Sequence, residues 1–455
     1  MRKENAGARS LPSSLGAGAM RSRLRRKGKV LVVTLGCSKN LYDSEVLMGG
    51  LKAGGIEVEH ESGSRDASIV VINTCGFIAS AKAESIDTIL RYGEAKKKGL
   101  ISKLFVTGCL SERYKRDLER DIPEVDGYFG TRELPRLLES LQADPRHALV
   151  GERLLTTPRH FAYLKISEGC DRPCSFCAIP LMRGRHVSRP IRDLVAEARH
   201  LARAGVRELL LIAQDSTYYG LDLYGKRRLA DLLKALSDVD GIGWIRLHYA
   251  YPAGFPMDVL DVMRQRPNIC KYLDLPLQHI SDRLLASMRR GTTKAKTDEL
   301  IVSIRDRVPG IALRTSLIAG YPGERRKDHE ELLEWVRATR FDRLGVFEYS
   351  HEEDTRAFSL CDDVPPREKK RRAEAVLALQ QGISREINEA KVGRTLMIIV
   401  DGRQGRRFTG RTEHDSPEVD NEVHGDAGKR ALRVGDFVLV RVAAATEYDL
   451  SVEPV

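Results

Sequence analysis

From Lys29 onward, short apolar runs alternate with longer helical stretches, the pattern of parallel sheets whose strands are joined through helices. Residues 30–35 (VLVVTL), 67–72 (ASIVVI), 103–106 (KLFV) and 125–128 read as strands, and 43–53, 78–98 and 133–143 as helices. These runs lack polar alternation, so their strands are expected to be buried on both faces. They predict an α/β domain over 29–144, followed by a linker near 144–159 that contains Pro145 and Pro158. A second series starts at His160, with strands at 161–166, 208–212, 244–248, 272–275, 312–318 and 343–348, and helices such as 193–204 and 329–339. Roughly six strand–helix repeats predict a partial (β/α)6 TIM-like barrel within 156–388 rather than a full eight-stranded one. Pro365 and Pro366 open a charged helix over 367–391, read as a connector. Segments 395–402, 406–414 and 436–452 then alternate apolar and polar residues between turn signals, which predicts a small antiparallel, OB-like β-barrel over 389–455.

Charge narrows the partners. The chain of 455 residues carries a formal net charge of +11, which invites a nucleic-acid reading. Residues 1–29, however, hold nine basic side chains against the single acid Glu4, leaving +3 for the rest. The body is nearly balanced, so a strongly basic surface is not required. Residues 1–28 mix Arg with Gly, Ala and Ser and are expected to form a disordered basic tail; an organelle transit peptide and a true start at Met20 are the other readings. No secretory apolar segment stands there, and no run approaches the ~18 residues of a membrane-spanning helix, which points to a cytoplasmic protein without a membrane partner.

Eight cysteines without a secretory signal argue for metal or redox chemistry rather than disulfides. Cys170, Cys174 and Cys177 form CxxxCxxC directly after the first strand of the second series. Three thiolates so spaced can bind three irons of a 4Fe-4S cluster, leaving the fourth iron open. Zinc would want a fourth Cys or His close by, and His186, nine residues beyond Cys177, is a poor candidate. Cys37, Cys75 and Cys109 lie far apart in sequence, yet each ends a predicted parallel strand beside a glycine (Gly36, Gly76, Gly108). The carboxyl ends of parallel strands line one rim, so these thiols are expected to converge as a second cluster site. Buried apolar cysteines are the alternative reading for one or two of them, and the one adopted for Cys270 and Cys361.

CxxxCxxC after the first barrel strand, with Phe176 before the third cysteine, resembles the radical S-adenosylmethionine (radical SAM) superfamily. Together with GCSKN at 36–40, INTCGFI at 72–78, GCDRPCSFCAIP at 169–180, RGRHVSRP at 183–190 and PLQH at 276–279, the chain from Lys29 to its end resembles the methylthiotransferase family, and its last module resembles the TRAM domain. The resemblance implies two 4Fe-4S clusters and two uses of S-adenosylmethionine per turnover. A methyl group moves to a sulfur on the auxiliary cluster of Cys37, Cys75 and Cys109. A 5′-deoxyadenosyl radical made at the Cys170, Cys174, Cys177 cluster then takes hydrogen from the substrate, whose carbon accepts the methylthio group.

The family divides chiefly between tRNA adenosine and an aspartate of ribosomal protein S-twelve. AQDSTYYG at 213–220, LHYAYP at 247–252 and DSPEVDNEV at 415–423 resemble the ribosomal-protein branch. Residues 389–455 hold ten Lys and Arg against twelve Asp and Glu, a slightly acidic module suited to a basic protein such as S-twelve, whereas tRNA favours basic excess. The expected reaction is therefore formation of 3-methylthioaspartate on S-twelve, free or within the small ribosomal subunit, by a monomer served by a flavodoxin- or ferredoxin-like electron donor. A tRNA methylthiotransferase and a non-enzymatic iron–sulfur ribosome-binding protein are the rivals. Phe176, Gln214, Gln278 and Arg314 are the candidate S-adenosylmethionine-binding residues, with an ion pair inside the barrel as the other reading of Arg314. Glu168 is a candidate to touch the cofactor or cap the cluster loop. Arg183, Arg185 and Arg189 are candidates to grip RNA or an aspartate, against the ordinary solvated role of arginine. GYPGE at 320–324 lacks phosphate-loop spacing and is expected to be a tight turn.

Overall fold

The computed structural model describes residues 28–61, 66–144 and 153–455. The basic tail, apart from its last residue, and half of the expected linker, 145–152, lie outside them. The first sheet contains β1 (Val30–Thr34), β2 (Val58–His60), β3 (Ile69–Thr74), β4 (Lys103–Gly108) and β5 (Gly127–Tyr128), all parallel, in the order β2-β1-β3-β4-β5. Its central strands bury both faces. Val30, Val32 and Val71 pack with Leu47, Met48 and Leu51 on one side, and Leu31, Val33, Val70 and Ile72 pack with Ile89 and Leu110 on the other. The short edge strand β2, VEH, has no apolar run and was not anticipated. The first helix, Ser38–Ala53, begins five residues earlier than its apolar pattern indicates.

The second sheet is also parallel and runs in chain order: β6 (Phe161–Lys165), β9 (Glu208–Ile212), β10 (Trp244–Leu247), β11 (Ile269–Asp274), β12 (Ala312–Ala319) and β13 (Arg343–Glu348). Six strands in sequence order, with β6 and β13 as unpaired edges, make the expected partial barrel. A two-residue-stranded hairpin, β7 (Ser167–Glu168) with β8 (Val187–Ser188), closes the cysteine loop at its base. Along β9 the side chains alternate: Leu209 and Leu211 enter the core beneath the surrounding helices, whereas Leu210 and Ile212 join Phe161 and Tyr163 on the other face.

The last module is a closed barrel of β14 (Thr395–Gln404), β15 (Arg407–Thr412), β16 (Val423–Asp426), β17 (Phe437–Ala445) and β18 (Leu450–Pro454). Its pairings are antiparallel except β16 with β18. Strand β16, four residues with an internal glycine, carried too little apolar pattern to be seen in sequence. The helix Pro366–Glu389 is more than a connector. It buries Ala373, Val376 and Ile383, and Arg372 pairs with Glu324 at 3.2 Å.

This small barrel seats against the starts of the large barrel's strands through charge. Glu208, fully buried, receives Arg246 at 2.9 Å and Arg411 at 2.7 Å, and His160 meets Asp401 at 2.6 Å. The loop after β15 then reaches into the large barrel: Arg343 donates to Asp415 at 3.0 Å, the Tyr272 hydroxyl to Asp420 at 2.8 Å, and the Tyr163 hydroxyl to Glu418 at 3.2 Å. Ser416 lies 3.1 Å from His248, so DSPEVDNEV and LHYAYP, marked separately in sequence, touch each other. This corrects the charge argument for a docking surface. Asp401, Asp415 and Asp420 are taken up by arginines and a histidine of the large barrel and do not present acidity to a partner. Among the described residues, no helix is long and apolar enough to cross a membrane.

A buried histidine of the large barrel adds sensitivity to acid. His279 of PLQH is fully buried and accepts a hydrogen bond from the Ser281 N–H at 3.0 Å. Burial holds its imidazole neutral, lowering its pKa from 6.5 to about 3, with Asp328 opposing the shift. The unfolded chain therefore binds a proton that the folded one refuses. The stability His279 allows is complete above about pH 6.5 and declines as pH falls toward 3. Urea unfolding between pH 7 and 4 is expected to show a smaller acid loss in His279→Asn than in the parent; equal losses would show that other groups dominate.

Candidate functional site

Cys37, Cys75 and Cys109 stand just past β1, just past β3 and just past β4, where adjacent parallel strands release the chain at one rim. The backbone draws them close. Gly36 has φ of +96°, and a Cβ there would lie 2.7 Å from Cys75 Cβ and 3.0 Å from its Sγ. Gly76 lies against the start of the helix that Cys109 opens, where a Cβ would be 3.0 Å from the Cys109 carbonyl carbon. Asn40 ties the strand ends together, its Nδ2 donating to the carbonyls of Leu35 at 2.7 Å and Thr74 at 3.0 Å. Burial pushes the Cys75 thiol up and the Cys109 thiol to about 12, each raised further by its neighbouring cysteines and opposed by Arg183.

Cys170, Cys174 and Cys177 follow the hairpin strand β7. Gly169 has φ of +78° and lies so close to Arg185 that a Cβ would meet its carbonyl oxygen at 2.1 Å, so this entry to the loop requires glycine. Beyond it, Ser175 anchors the loop to the barrel rim through the Met288 and Ser287 carbonyls at 3.1 and 2.8 Å, and Phe176 packs with Leu284, Met288, Tyr321 and Tyr349. Arg290 Nη1 donates to Cys174 Sγ at 3.2 Å, and the Arg172 N–H donates to Cys170 Sγ at 3.5 Å. Burial raises Cys170 to about 11 and Cys177 to about 12.

The two triads adjoin. Cys109 packs with Ala178 and Met182 in one buried cluster, and Arg183, five residues past Ala178, extends into the first triad. Its buried guanidinium donates to Cys109 Sγ at 3.2 Å, to Asp43 at 2.6 Å, to Glu168 at 3.3 Å and to Asn40 Oδ1. Glu168 also receives Lys165 at 2.6 Å and the Gln214 amide at 3.0 Å. These partners bring its pKa from 4.5 to about 2 against the effect of burial.

Both donor sets fit an iron–sulfur cluster. Each is three thiols of one rim or loop with an arginine donating to a sulfur, and Cys75, Cys109, Cys170 and Cys177, which burial keeps from ionising alone, are thiols that a cluster's positive irons would hold as thiolates. Among the described residues no histidine joins either triad: the His186 ring lies 3.1 Å from Ser188 and 3.8 Å from Asp222. Among the described residues no group of three His, Cys, Asp or Glu is arranged for a single metal ion.

The other sequence candidates fall unevenly. Gln214 sits beside the site, with its Oε1 buried and unpartnered. Gln278 adopts φ of +73° and exchanges backbone hydrogen bonds with Ser316 and Ile318. Arg314 is held by Asp274 at 3.0 Å and Asp420 at 3.3 Å, the ion pair inside the barrel. Of the three arginines considered for RNA or an aspartate, Arg185 is exposed, whereas Arg183 and Arg189 are engaged internally, Arg189 with Glu197 at 2.7 Å and Tyr42 at 2.8 Å. GYPGE forms a turn in which the Tyr321 N–H donates to Glu324 at 3.2 Å. Cys270 is buried with Trp244 and Tyr272 as expected, whereas Cys361 is exposed, which corrects its reading as a buried apolar cysteine. Arg290, Asn40 and Asp43 escaped sequence reading. Asn40 stands inside GCSKN, but nothing in the residue order assigns its partners.

Arg183→Met removes the cation that Asp43 and Glu168 share. We expect it to destabilise the fold by about 3–5 kcal/mol, the cost of breaking a buried ion pair from one side, read by urea unfolding. A loss below about 1 kcal/mol would show that the pairs are solvated in solution.

Comparison with known proteins agrees with this architecture. Residues 29–130 match the uncharacterized protein family UPF0004, 164–336 the radical SAM superfamily and 392–455 the TRAM domain. Among solved structures, the chain is similar to the radical S-adenosylmethionine methyltransferase TsrM of Kitasatospora setae, with a TM-score of 0.53 and 17% identity, covering 70% of this chain and 72% of that one. That likeness is one of fold. Much closer in sequence are proteins named ribosomal protein uS12 methylthiotransferase RimO. The Flavobacterium johnsoniae protein is 61% identical over 436 residues, 96% of this chain and 100% of that one. Those of Cytophaga hutchinsonii and Porphyromonas gingivalis are 59% and 54% identical over 95% and 93% of this chain, and 99% and 98% of their own. At that identity and coverage, the chain belongs to the ribosomal protein uS12 methylthiotransferase family.

Proposed function

We propose that this protein methylthiolates the β-carbon of an aspartate of ribosomal protein uS12, giving 3-methylthioaspartate. The observation that carries the reading is the packing of Cys109 of one triad, which Arg183 holds, against Ala178 beside Cys177 of the other, in a chain 61% identical to a uS12 methylthiotransferase. In this reading Cys170, Cys174 and Cys177 hold the 4Fe-4S cluster that binds S-adenosylmethionine, and Cys37, Cys75 and Cys109 hold the auxiliary one. When bound, these groups supply reductive cleavage of S-adenosylmethionine at the first triad and a sulfur that accepts its methyl group at the second.

The chain's own residues supply position and shelter. Arg183 holds the auxiliary triad against the cysteine loop, so the two chemistries share one cavity. Arg290 donates to Cys174 and, at its backbone carbonyl, accepts the Tyr251 hydroxyl at 2.8 Å, which fixes the loop to the rim. Gln214, beside Glu168, offers a buried carbonyl oxygen with no partner toward the cofactor. The β-module closes the floor of the barrel and excludes water from below. We assign the division as 29–144, 156–388 and 389–455, and a monomer in the cytoplasm that draws electrons from a low-potential flavodoxin- or ferredoxin-like donor.

The test is mass spectrometry of uS12 and of bulk tRNA after anaerobic incubation of the reconstituted protein with S-adenosylmethionine and a strong reductant. A gain of about 46 Da on one uS12 aspartate, methylthio replacing hydrogen, with tRNA unchanged, is expected. A methylthio group on tRNA alone would overturn the substrate.

A further inference from the structure

Lys39 stands two residues beyond Cys37, in the first turn of the helix Ser38–Ala53, and only 7% of it is exposed. A buried ammonium ordinarily carries an anion with it. Lys165 has Asp43 and Glu168, and Lys369 has Asp362. Lys39 has none: among the described residues its ammonium makes no ion pair and no hydrogen bond, and it rests 2.9 Å from the centre of the Tyr249 ring.

Tyr249 is the third residue of LHYAYP, two past the end of β10, and its backbone is held in the left-handed region, at φ of +58°. That conformation is pinned by the Tyr249 N–H donating to Asp274 at 3.2 Å and by its carbonyl accepting the Ser216 N–H at 3.0 Å. The ring thus forms a fixed platform at the barrel mouth. Lys39 belongs to the neighbouring domain and reaches over that platform. Its charge is felt as far as His248, which it helps to keep neutral. A cation fixed on a ring face keeps part of its hydration shell stripped, yet a ring supplies much less than a carboxylate would.

We propose that Lys39 receives the side-chain carboxylate of the substrate aspartate and thereby selects an acidic side chain at the barrel mouth. The inference rests on the uS12 reading above. Its position favours the substrate over the carboxylate of S-adenosylmethionine. Lys39 lies on the auxiliary-triad side, beside Cys37, whereas Arg172 and Arg290 flank the other triad. The carbon that accepts the methylthio group is bonded to that carboxylate, so gripping the carboxylate fixes the reacting carbon within reach of both triads. A neutral asparagine side chain of the same shape would leave the ammonium unpaired.

The experiment is a double-mutant cycle on the reconstituted full-length enzyme, pairing the parent, Lys39→Met and Lys39→Arg with uS12 and with uS12 whose target aspartate is changed to asparagine. Binding is read by fluorescence anisotropy of labelled uS12, KM by product mass, and folding by iron content and circular dichroism. The parent is expected to bind the aspartate form about tenfold to a hundredfold more tightly than the asparagine form, the range of a charge-assisted contact. Lys39→Met should lose that preference, and Lys39→Arg should keep most of it. Unchanged discrimination in a folded, iron-replete Lys39→Met would overturn the proposal, as would a rise in KM confined to S-adenosylmethionine. A parent that leaves uS12 unmodified would overturn the function reading as well, which separates the two failures.

Discussion

A guanidinium taken out of water must find anions and acceptors to replace it, and Arg183 finds them in three separate parts of the chain. Asp43 and Asn40 come from the first helix, Cys109 from the end of β4, and Glu168 from the hairpin that opens the cysteine loop. Because the penalty for leaving such a charge unpaired exceeds what most single contacts contribute, these groups must be brought together for the chain to fold. The convergence of the two triads is therefore tied to folding itself. The small helix Ile179–Arg183 carries the arginine in register with Cys177, so a shift of either rim would be felt at both.

A second set of buried charges fixes the far end of the barrel. Glu208, Arg246 and Arg411 form a chain of ion pairs with little or no exposure, and Arg343 with Asp415 and Arg314 with Asp420 extend it into the interior. Apolar packing of Trp244 on Phe437, ring centres 5.0 Å apart, supplies area there. Direction comes from the charges, since Asp415, Glu418 and Asp420 of the β15–β16 loop each meet an arginine or tyrosine of the large barrel. The barrel is thereby built from two sides, with the β-module as its floor and the first domain at its mouth.

Much of this was legible in sequence because it rests on local pattern. Buried parallel strands declare themselves as unbroken apolar runs, and Glu208–Ile212 and Arg343–Glu348 fall at the expected residues. Cysteines at equivalent strand ends imply a shared rim once the strands are known to be parallel. What escaped depends on three-dimensional neighbours. Strands β2 and β16 are short edge or closing strands whose pairing, rather than apolar content, makes them strands. Arginines read alike in sequence, so nothing distinguished the internal Arg183 and Arg189 from the exposed Arg185. Likewise, a count of acids over the last module could not show that Asp401, Asp415 and Asp420 face inward.

In the reading proposed above, one chain carries two independent three-cysteine cluster sites. Iron and acid-labile sulfide per chain, measured after anaerobic reconstitution, test it most directly when the parent is compared with Cys37→Ala/Cys75→Ala/Cys109→Ala and with Cys170→Ala/Cys174→Ala/Cys177→Ala. About eight irons are expected in the parent and about four in each triple variant, with cleavage of S-adenosylmethionine retained only where Cys170, Cys174 and Cys177 remain. Saturation of the parent at about four irons, or a triple variant that loses none, would contradict it.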